Sequence, residues 1–183
     1  MARIVALNAD ATINDLKRQS RALNKHKSGE VNRALAATIN DSLRKSRTRI
    51  VRAISKEMQV KQVPIRKRVK ITRAKTNNLY GRVWAGTNRL SAKSAGAKPR
   101  GDGHGVGPYQ WDDTFTNQGL KNIYVRKGLG RGNIEVAGFG AGYTERVFKN
   151  AVNAETEKVL SSDFPRELFR QINWRLNKAL GIT

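Results

Sequence analysis

The stretch that decides the fold is EVNRALAATINDSLRKSRTRIVRAISKE, residues 30–57. Apolar side chains recur in it at three- and four-residue intervals, which is the spacing of one face of an α-helix. A helix of this length extends about 42 Å at 1.5 Å per residue, which is more than a small domain covers. The sequence therefore predicts a long amphipathic helix, part of which packs on another subunit. The residues assigned to this oligomer packing are Leu35, Ile39, Leu43, Ile50 and Ile54.

Upstream of the long helix, Asp10 or Thr12 is suited to cap a first short helix, and the stretch KHKSG (25–29) interrupts it. Ser28 is placed to cap the long helix, and Gly29 suits a turn before it.

Directly after the long helix comes VKQVPIRKRVKITRAK, residues 60–75, with seven basic residues and no acidic one. Pro64 favours the first turn of a short helix. One interpretation is that the charges neutralise phosphates, which gives salt-dependent binding without base recognition. The other is that the interleaved residues Val63, Ile65, Val69 and Ile71 anchor the segment while the charges face water. The candidate nucleic-acid-binding residues are Lys61, Arg66, Lys67, Arg68, Lys70, Arg73 and Lys75.

The charge of the whole chain points to an anionic partner. The sequence has 36 basic and 14 acidic residues, a formal net charge of +22. A field of this sign raises the local concentration of polyanions, among which nucleic acid, an anionic membrane and an acidic protein all qualify. Residues 1–75 carry 20 basic and 5 acidic side chains, so most of the charge lies in the first two-fifths of the chain.

The middle of the chain reads as strands separated by a glycine-rich stretch. LYGRVWAG (79–86) predicts a strand in which Gly81 is a bulge or a point of close approach. KNIYVRKG (121–128) and NIEVAGFG (133–140) predict a hairpin joined by GLGRG. Residues 91–108 contain five glycines and two prolines and little to bury. We expect a flexible loop over 91–113, or a segment that becomes ordered only in an assembly.

The C-terminal part predicts two helices, the first after Thr144 and the second capped by Asp163, with Pro165 in its first turn and Gly181 after its end. The expected class is α+β: a long N-terminal amphipathic helix, a small antiparallel β-sheet and C-terminal helices. Along the chain this gives a basic helical region (1–75), a β-rich region (76–140) and C-terminal helices packing on the sheet (141–183). We expect them to form a single compact domain with a helical extension.

The residues of catalysis are sparse. There is no cysteine, His26 stands between lysines, and His104 lies in the glycine-rich stretch without a partner at metal-ligand spacing. Asp112 and Asp113 are adjacent and would point to opposite faces of an extended segment. GDGHGVG (101–107) and GLGRG lack the strand before and the helix after that a phosphate loop needs. We therefore expect no enzyme, no catalytic residue, no cofactor and no metal.

No run reaches the roughly 18 apolar residues of a membrane span, and the N-terminus lacks a signal peptide's apolar region. We expect a soluble protein without a membrane partner.

The arrangement as a whole resembles the prophage minor tail protein Z family, the tail completion proteins of lambda-like phages. The matching features are the pair Asn32 and Arg33 in the long helix, the basic stretch 64–74, the segment 115–119 that runs into a turn, and the closing helix 164–180. The resemblance covers roughly residues 28–181, and the first helix has no firm counterpart.

The resemblance implies a structural role at the head-proximal end of the tail, in head–tail joining and in positioning the end of the genome. The implied partners are further copies in a homo-oligomeric ring (six is a candidate number), tail terminator or tube proteins, and head–tail connector proteins. Non-specific contact with genomic DNA is a further expectation. The protein would reside in the virion, and in the host cytoplasm during assembly. The alternative is a sequence-independent nucleic-acid-binding protein of ribosomal or nucleoid type.

Overall fold

The computed structural model describes residues 4–6, 28–116, 121–128 and 133–180. The chain divides into two compact units. The first unit comprises Met1–Arg3, Val51–Val69 and Ala85–Ala151, and the second comprises Ile4–Ile50, Lys70–Trp84 and Val152–Thr183. Each unit draws on distant parts of the sequence, and the expected division into regions 1–75, 76–140 and 141–183 stays a prediction. The predicted first helix, and the residues 25–27 of the predicted break, lie outside the described residues.

Helix α1 spans Ser28–Met58, which confirms the predicted long helix and extends it slightly at both ends. Gly29 therefore lies inside the first helical turn and does not form a turn before it. The helix ends because Gln59 takes a positive φ of 51°, a left-handed conformation that breaks the helical repeat. Ser55 closes the last turn, since its hydroxyl donates to the Val60 carbonyl oxygen at 2.5 Å.

The apolar stripe of α1 is buried in the chain itself. Leu35, Leu43, Ile50 and Ile54 are 0% exposed, and Ile39 is 5% exposed. These five side chains thus belong to the chain's own core, because other parts of the chain already cover them. Packing between subunits through this stripe stays a prediction, and such a contact would require the core to open.

A three-stranded sheet lies beside α1, with most of its residues in the second unit. Strands β1 (Ile4–Ala6), β2 (Val69–Thr72) and β3 (Arg82–Ala85) take the order β1-β3-β2, with β1 antiparallel to β3. A Cβ on Gly81 would lie 2.7 Å from Ile39 Cγ2 and from Leu43 Cδ1. Only glycine lets the backbone come this near α1, so both the predicted strand and the predicted close approach are confirmed.

The glycine-rich stretch is regular structure in the first unit, contrary to the expectation of a flexible loop over 91–113. Helix α2 (Gln62–Arg68) lies earlier in the chain. The glycine-rich stretch itself contains helix α3 (Ala92–Ala95) and an antiparallel sheet of β4 (Lys98–Arg100), β5 (Gly103–Val106) and β6 (Tyr109–Trp111). The glycines explain the difference, because a Cβ on Gly103 would lie 2.1 Å from the Trp111 carbonyl oxygen. A composition that suggests a loop is here what lets the strands pack closely.

A second antiparallel sheet of the first unit consists of β7 (Thr114–Phe115), β8 (Tyr124–Arg126) and β9 (Ile134–Val136), in that order. The pairing of β8 with β9 confirms the predicted hairpin, and residues 129–132 of its GLGRG connection lie outside the described part. Beside this sheet the buried residues Ala92, Ile123 and Ala137 form a small core cluster. The strands therefore form three small sheets where the sequence led us to expect one.

The C-terminal helices are continuous. Helix α4 (Ala141–Lys158) passes through a π-helical turn (Val159–Asp163) into α5 (Phe164–Leu180). Asp163 is therefore not the N-cap that the sequence predicts. Pro165 has no N–H and would clash with the carbonyl four residues earlier in a regular helix, and the wider π-turn accommodates it. The predicted stop at Gly181 lies outside the described residues. With these helices and small sheets, the α+β class is confirmed.

Candidate nucleic-acid interface

Helix α2 presents the first half of the basic segment. Lys61 directly precedes it in an extended conformation, and Lys61, Arg66 and Lys67 are exposed. Ile65 and Val69 are 0% exposed and fix the helix to the first unit. Val63, by contrast, is 62% exposed, so the apolar residues anchor the segment only in part.

Arg68 is held by the chain's own backbone. Its guanidinium donates to the carbonyl oxygens of Asn88 and Arg89, the latter at 2.9 Å. Burial lowers the pKa of this guanidinium below its ordinary value. Arg68 therefore fastens the end of α2 to the segment after β3, a structural task that the basic pattern alone does not reveal.

The second half of the basic segment belongs to the second unit, where Lys70, Arg73 and Lys75 are exposed. Asn40 of α1 grips the backbone between the last two: its amide donates to the Ala74 carbonyl oxygen at 3.0 Å and accepts from the Ala74 N–H at 2.9 Å. A pair of this kind mimics one rung of a β-ladder, and it fixes the position of Arg73 relative to α1.

The basic residues that are concentrated in the first 75 residues of the sequence are divided between the two units of the fold. The seven candidate residues divide between the units, with Lys61, Arg66, Lys67 and Arg68 in the first and the other three in the second. By sequence, the first unit holds 17 basic and 6 acidic residues and the second 19 and 8, which is +11 in each case. Both units therefore attract polyanions equally, although the linear sequence places most of the charge before residue 76.

The second unit contains a cleft of about 580 Å³ that Arg73 helps to line. Three chain segments line it: α1, the segment after β2, and α5. Its charged and aromatic lining residues are Asp41, Arg44, Arg73, Arg170, Trp174 and Arg175. The volume lies in the range of about 300–1,000 Å³ that ligand sites occupy. We call this site the arginine cleft.

Carboxylates hold three of the four cleft arginines in place. Arg44 pairs with Asp41, and Arg175 lies 3.5 Å from Glu30. Arg170 donates to Glu167 at 2.5 Å, a bond that lowers the pKa of Glu167 below its ordinary value of 4.5 and raises the pKa of Arg170. Within the described part of the chain, no carboxylate is paired with Arg73, and its side chain is exposed.

Of the residues weighed for catalysis, His26 lies outside the described residues, and His104 makes a structural contact. His104 is buried, and its Nδ1 lies 3.0 Å from the Thr114 hydroxyl, which itself donates to the Trp111 carbonyl oxygen. Asp112 and Asp113 lie in the turn between β6 and β7. Over the described ranges, no group of three His, Cys, Asp or Glu residues is arranged to hold a metal ion.

The described helices include none that is long and apolar enough to cross a membrane.

Sequence reasoning singled out Arg73 but missed its neighbours in the cleft. Arg170 and Trp174, like Gln171 and Arg175, are four residues apart on α5, and such pairs share a helix face. That spacing was a usable signal for the α5 side. The meeting of this face with Asp41 and Arg44 depends on how α1 and α5 pack, which the spacing within either helix does not state.

Comparison with known proteins gives one family. The sequence profile described as "Prophage minor tail protein Z (GPZ)" matches residues 13–181. The match begins further towards the N-terminus than the residues that carried the resemblance above, and it includes the basic segment, the arginine cleft and all of α5. No curated protein and no solved structure matches the chain significantly.

Proposed function

This chain belongs to the prophage minor tail protein Z family, and we propose that it completes the phage tail at the head-proximal end, where it joins the tail to the head and positions the end of the genome. The observation that carries the proposal is the family match over residues 13–181. As a member of this family the protein is a structural component of the phage tail and so of the virion. Its partners include other virion components.

The proposed assembly is a homo-oligomeric ring that also contacts tail terminator or tube proteins and head–tail connector proteins. The core position of the α1 stripe directs the search for the ring contact to other surfaces. Large apolar side chains that are exposed in the described part of the chain are Val63, Tyr80, Ile134, Phe169 and Trp174. Exposed aromatic residues are over-represented at protein interfaces, and Phe169, which does not line the arginine cleft, supports α5 as one contact surface.

The proposed contact with DNA is non-specific and uses the basic residues that remain accessible. Lys61, Arg66, Lys67, Lys70, Arg73 and Lys75 are exposed in the chain. Arg68 contributes least, because its donors are already bound to backbone carbonyls. With +11 in each unit, a ring of such subunits around a channel would present phosphate with positive charge from both units.

A gene-disruption experiment tests the tail role. A phage that carries this gene is produced with the reading frame interrupted, with and without the intact protein supplied from a plasmid. Electron microscopy is expected to show filled heads and separate tails, and plasmid-borne protein is expected to restore joined, infectious particles. Normal yields of joined, infectious particles without the protein would refute the proposed role. They would also leave the alternative, a free nucleic-acid-binding protein, as the better account of the charge.

A further inference from the structure

We propose that the arginine cleft binds a single nucleic-acid strand, with its phosphates on the guanidinium groups and a base against Trp174. The four arginines come from three separate segments of the second unit. The site is therefore formed by the fold and not by a run of basic residues in the sequence. The inference deepens the proposed DNA contact and rests on the proposed function only for the source of the strand. Binding itself is a property of the purified chain.

The charge in the cleft is not balanced by the chain. Asp41, Glu30 and Glu167 pair with Arg44, Arg175 and Arg170, and this leaves Arg73 as an exposed cation without a paired carboxylate among the described residues. The three carboxylates also fix the orientation of their arginines in advance. An arriving phosphate therefore meets one guanidinium without a paired carboxylate, in a cleft that three further guanidiniums also line.

Arg175, like Arg73, has a guanidinium N–H donor without an acceptor among the described residues. Its side chain is 22% exposed, and this donor is its covered Nε. Glu30 pairs with the Nη1 of Arg175 and not with its Nε. A nearby anion would reduce the cost of this unpaired donor through its charge.

Trp174 decides between ligand classes. Its ring is 52% exposed and is flanked by two cations, the Arg175 guanidinium at 5.4 Å and the Lys178 ammonium at 5.3 Å from the ring centroid. An aromatic side chain that stays half exposed among cations is an arrangement with which proteins hold single strands. An acidic peptide would use the arginines equally well but has no need of the indole.

The size of the cleft decides between single and double strands. Its volume is about 580 Å³. The major groove of a duplex is by itself about 12 Å wide, so a whole duplex cannot enter a cleft of this volume and would touch only its rim. A single strand places phosphate and base in the cleft together.

Binding is measured with the purified full-length protein and a fluorescein-labelled oligothymidylate of about 15 nucleotides, by fluorescence anisotropy at several salt concentrations. Arg73→Gln is expected to weaken binding about three- to five-fold near physiological salt and to reduce the slope of log K against log salt by about 0.7. Trp174→Leu is expected to weaken binding with an unchanged slope, since it removes stacking and no charge. Circular dichroism melts establish that each variant is folded.

Arg166→Gln is the matched control, because Arg166 lies on the same helix, its side chain is 80% exposed and it does not line the cleft. An equal loss of affinity in Arg166→Gln and Arg73→Gln would mean diffuse charge attraction and would overturn the cleft site. Competition by an oligoglutamate as effective as unlabelled oligothymidylate at equal charge would assign the cleft to an acidic protein and would also overturn the proposal. The tail role fails separately, on the gene-disruption result.

Discussion

Replacing Asn40 with alanine is expected to destabilise the protein by about 1.5 kcal/mol. The side chain makes two hydrogen bonds to Ala74, at 3.0 and 2.9 Å, and Ala74 is 5% exposed, so its backbone groups have little access to water. Each bond contributes about 1 kcal/mol net. Alanine is the better helix former by about 0.5 kcal/mol, which offsets part of the loss.

The measurement is urea denaturation followed by far-UV circular dichroism, with Asn153→Ala as the control. Asn153 is an exposed residue of α4, so its replacement keeps the gain in helix propensity and removes no bond to Ala74. Asn40→Asp should be at least as destabilising as Asn40→Ala, because it replaces the donor to the Ala74 carbonyl oxygen by a carboxylate oxygen. If Asn40→Ala and Asn153→Ala unfold at the same urea concentration, the two hydrogen bonds from Asn40 to Ala74 do not stabilise the segment that carries Arg73.

Three further variants test other contacts. Arg68→Gln is expected to lower the free energy of unfolding by about 1–2 kcal/mol, because two charge-assisted hydrogen bonds to backbone carbonyls are lost at a half-buried site. Lys67→Gln, at an exposed residue, should leave the free energy of unfolding unchanged. Equal effects of the two changes would contradict the anchoring role of Arg68. Gly81→Ala should cost about 1–3 kcal/mol in a thermal melt, because its Cβ would meet Ile39 and Leu43 at 2.7 Å. Gly142→Ala is the reference: its Cβ has open space and the residue lies in helix α4, so this change should be neutral or stabilising. Glu167→Gln tests pH dependence: a carboxyl pKa lowered by Arg170 stabilises the fold above the unfolded-state value and loses that contribution as the pH falls. The variant should therefore be less stable than the native protein near neutral pH, and the difference should shrink below pH 4.5; a pH-independent difference would contradict this account.

Local periodicity was sufficient for the long helix α1, for helices in the C-terminal part and for the strands with alternating or β-branched side chains. The spacing of Leu35, Ile39 and Leu43 predicts α1, and the turn signals around GLGRG predict the pairing of β8 with β9. These features depend on side chains within a few residues of one another, which is the information that a single sequence states directly. The same holds for the resemblance to the tail family, which the profile match over 13–181 bears out.

Glycine and aspartate misled the prediction where their role depends on a distant neighbour. Gly103 suggests a loop until the Trp111 carbonyl oxygen is found where its Cβ would be. Asp163 suggests an N-cap, yet the helix continues through it and its carboxylate pairs with Arg49 at 2.7 Å. Both residue types suit turns and caps locally, and only the packing of other segments selects a different use.

The sequence by itself determined the α+β class, the long helix α1, the β8–β9 hairpin, the excess of positive charge and the family to which the chain belongs. The tertiary structure alone decided what each charge does. It fastened Arg68 to two backbone carbonyls, brought Arg73 to a cleft with Arg170 and Arg175, and buried the stripe of α1 in the chain's own core. The physical reason is that charge and hydrophobicity are properties of single residues, whereas burial and pairing depend on which distant segments the fold brings within a few ångströms.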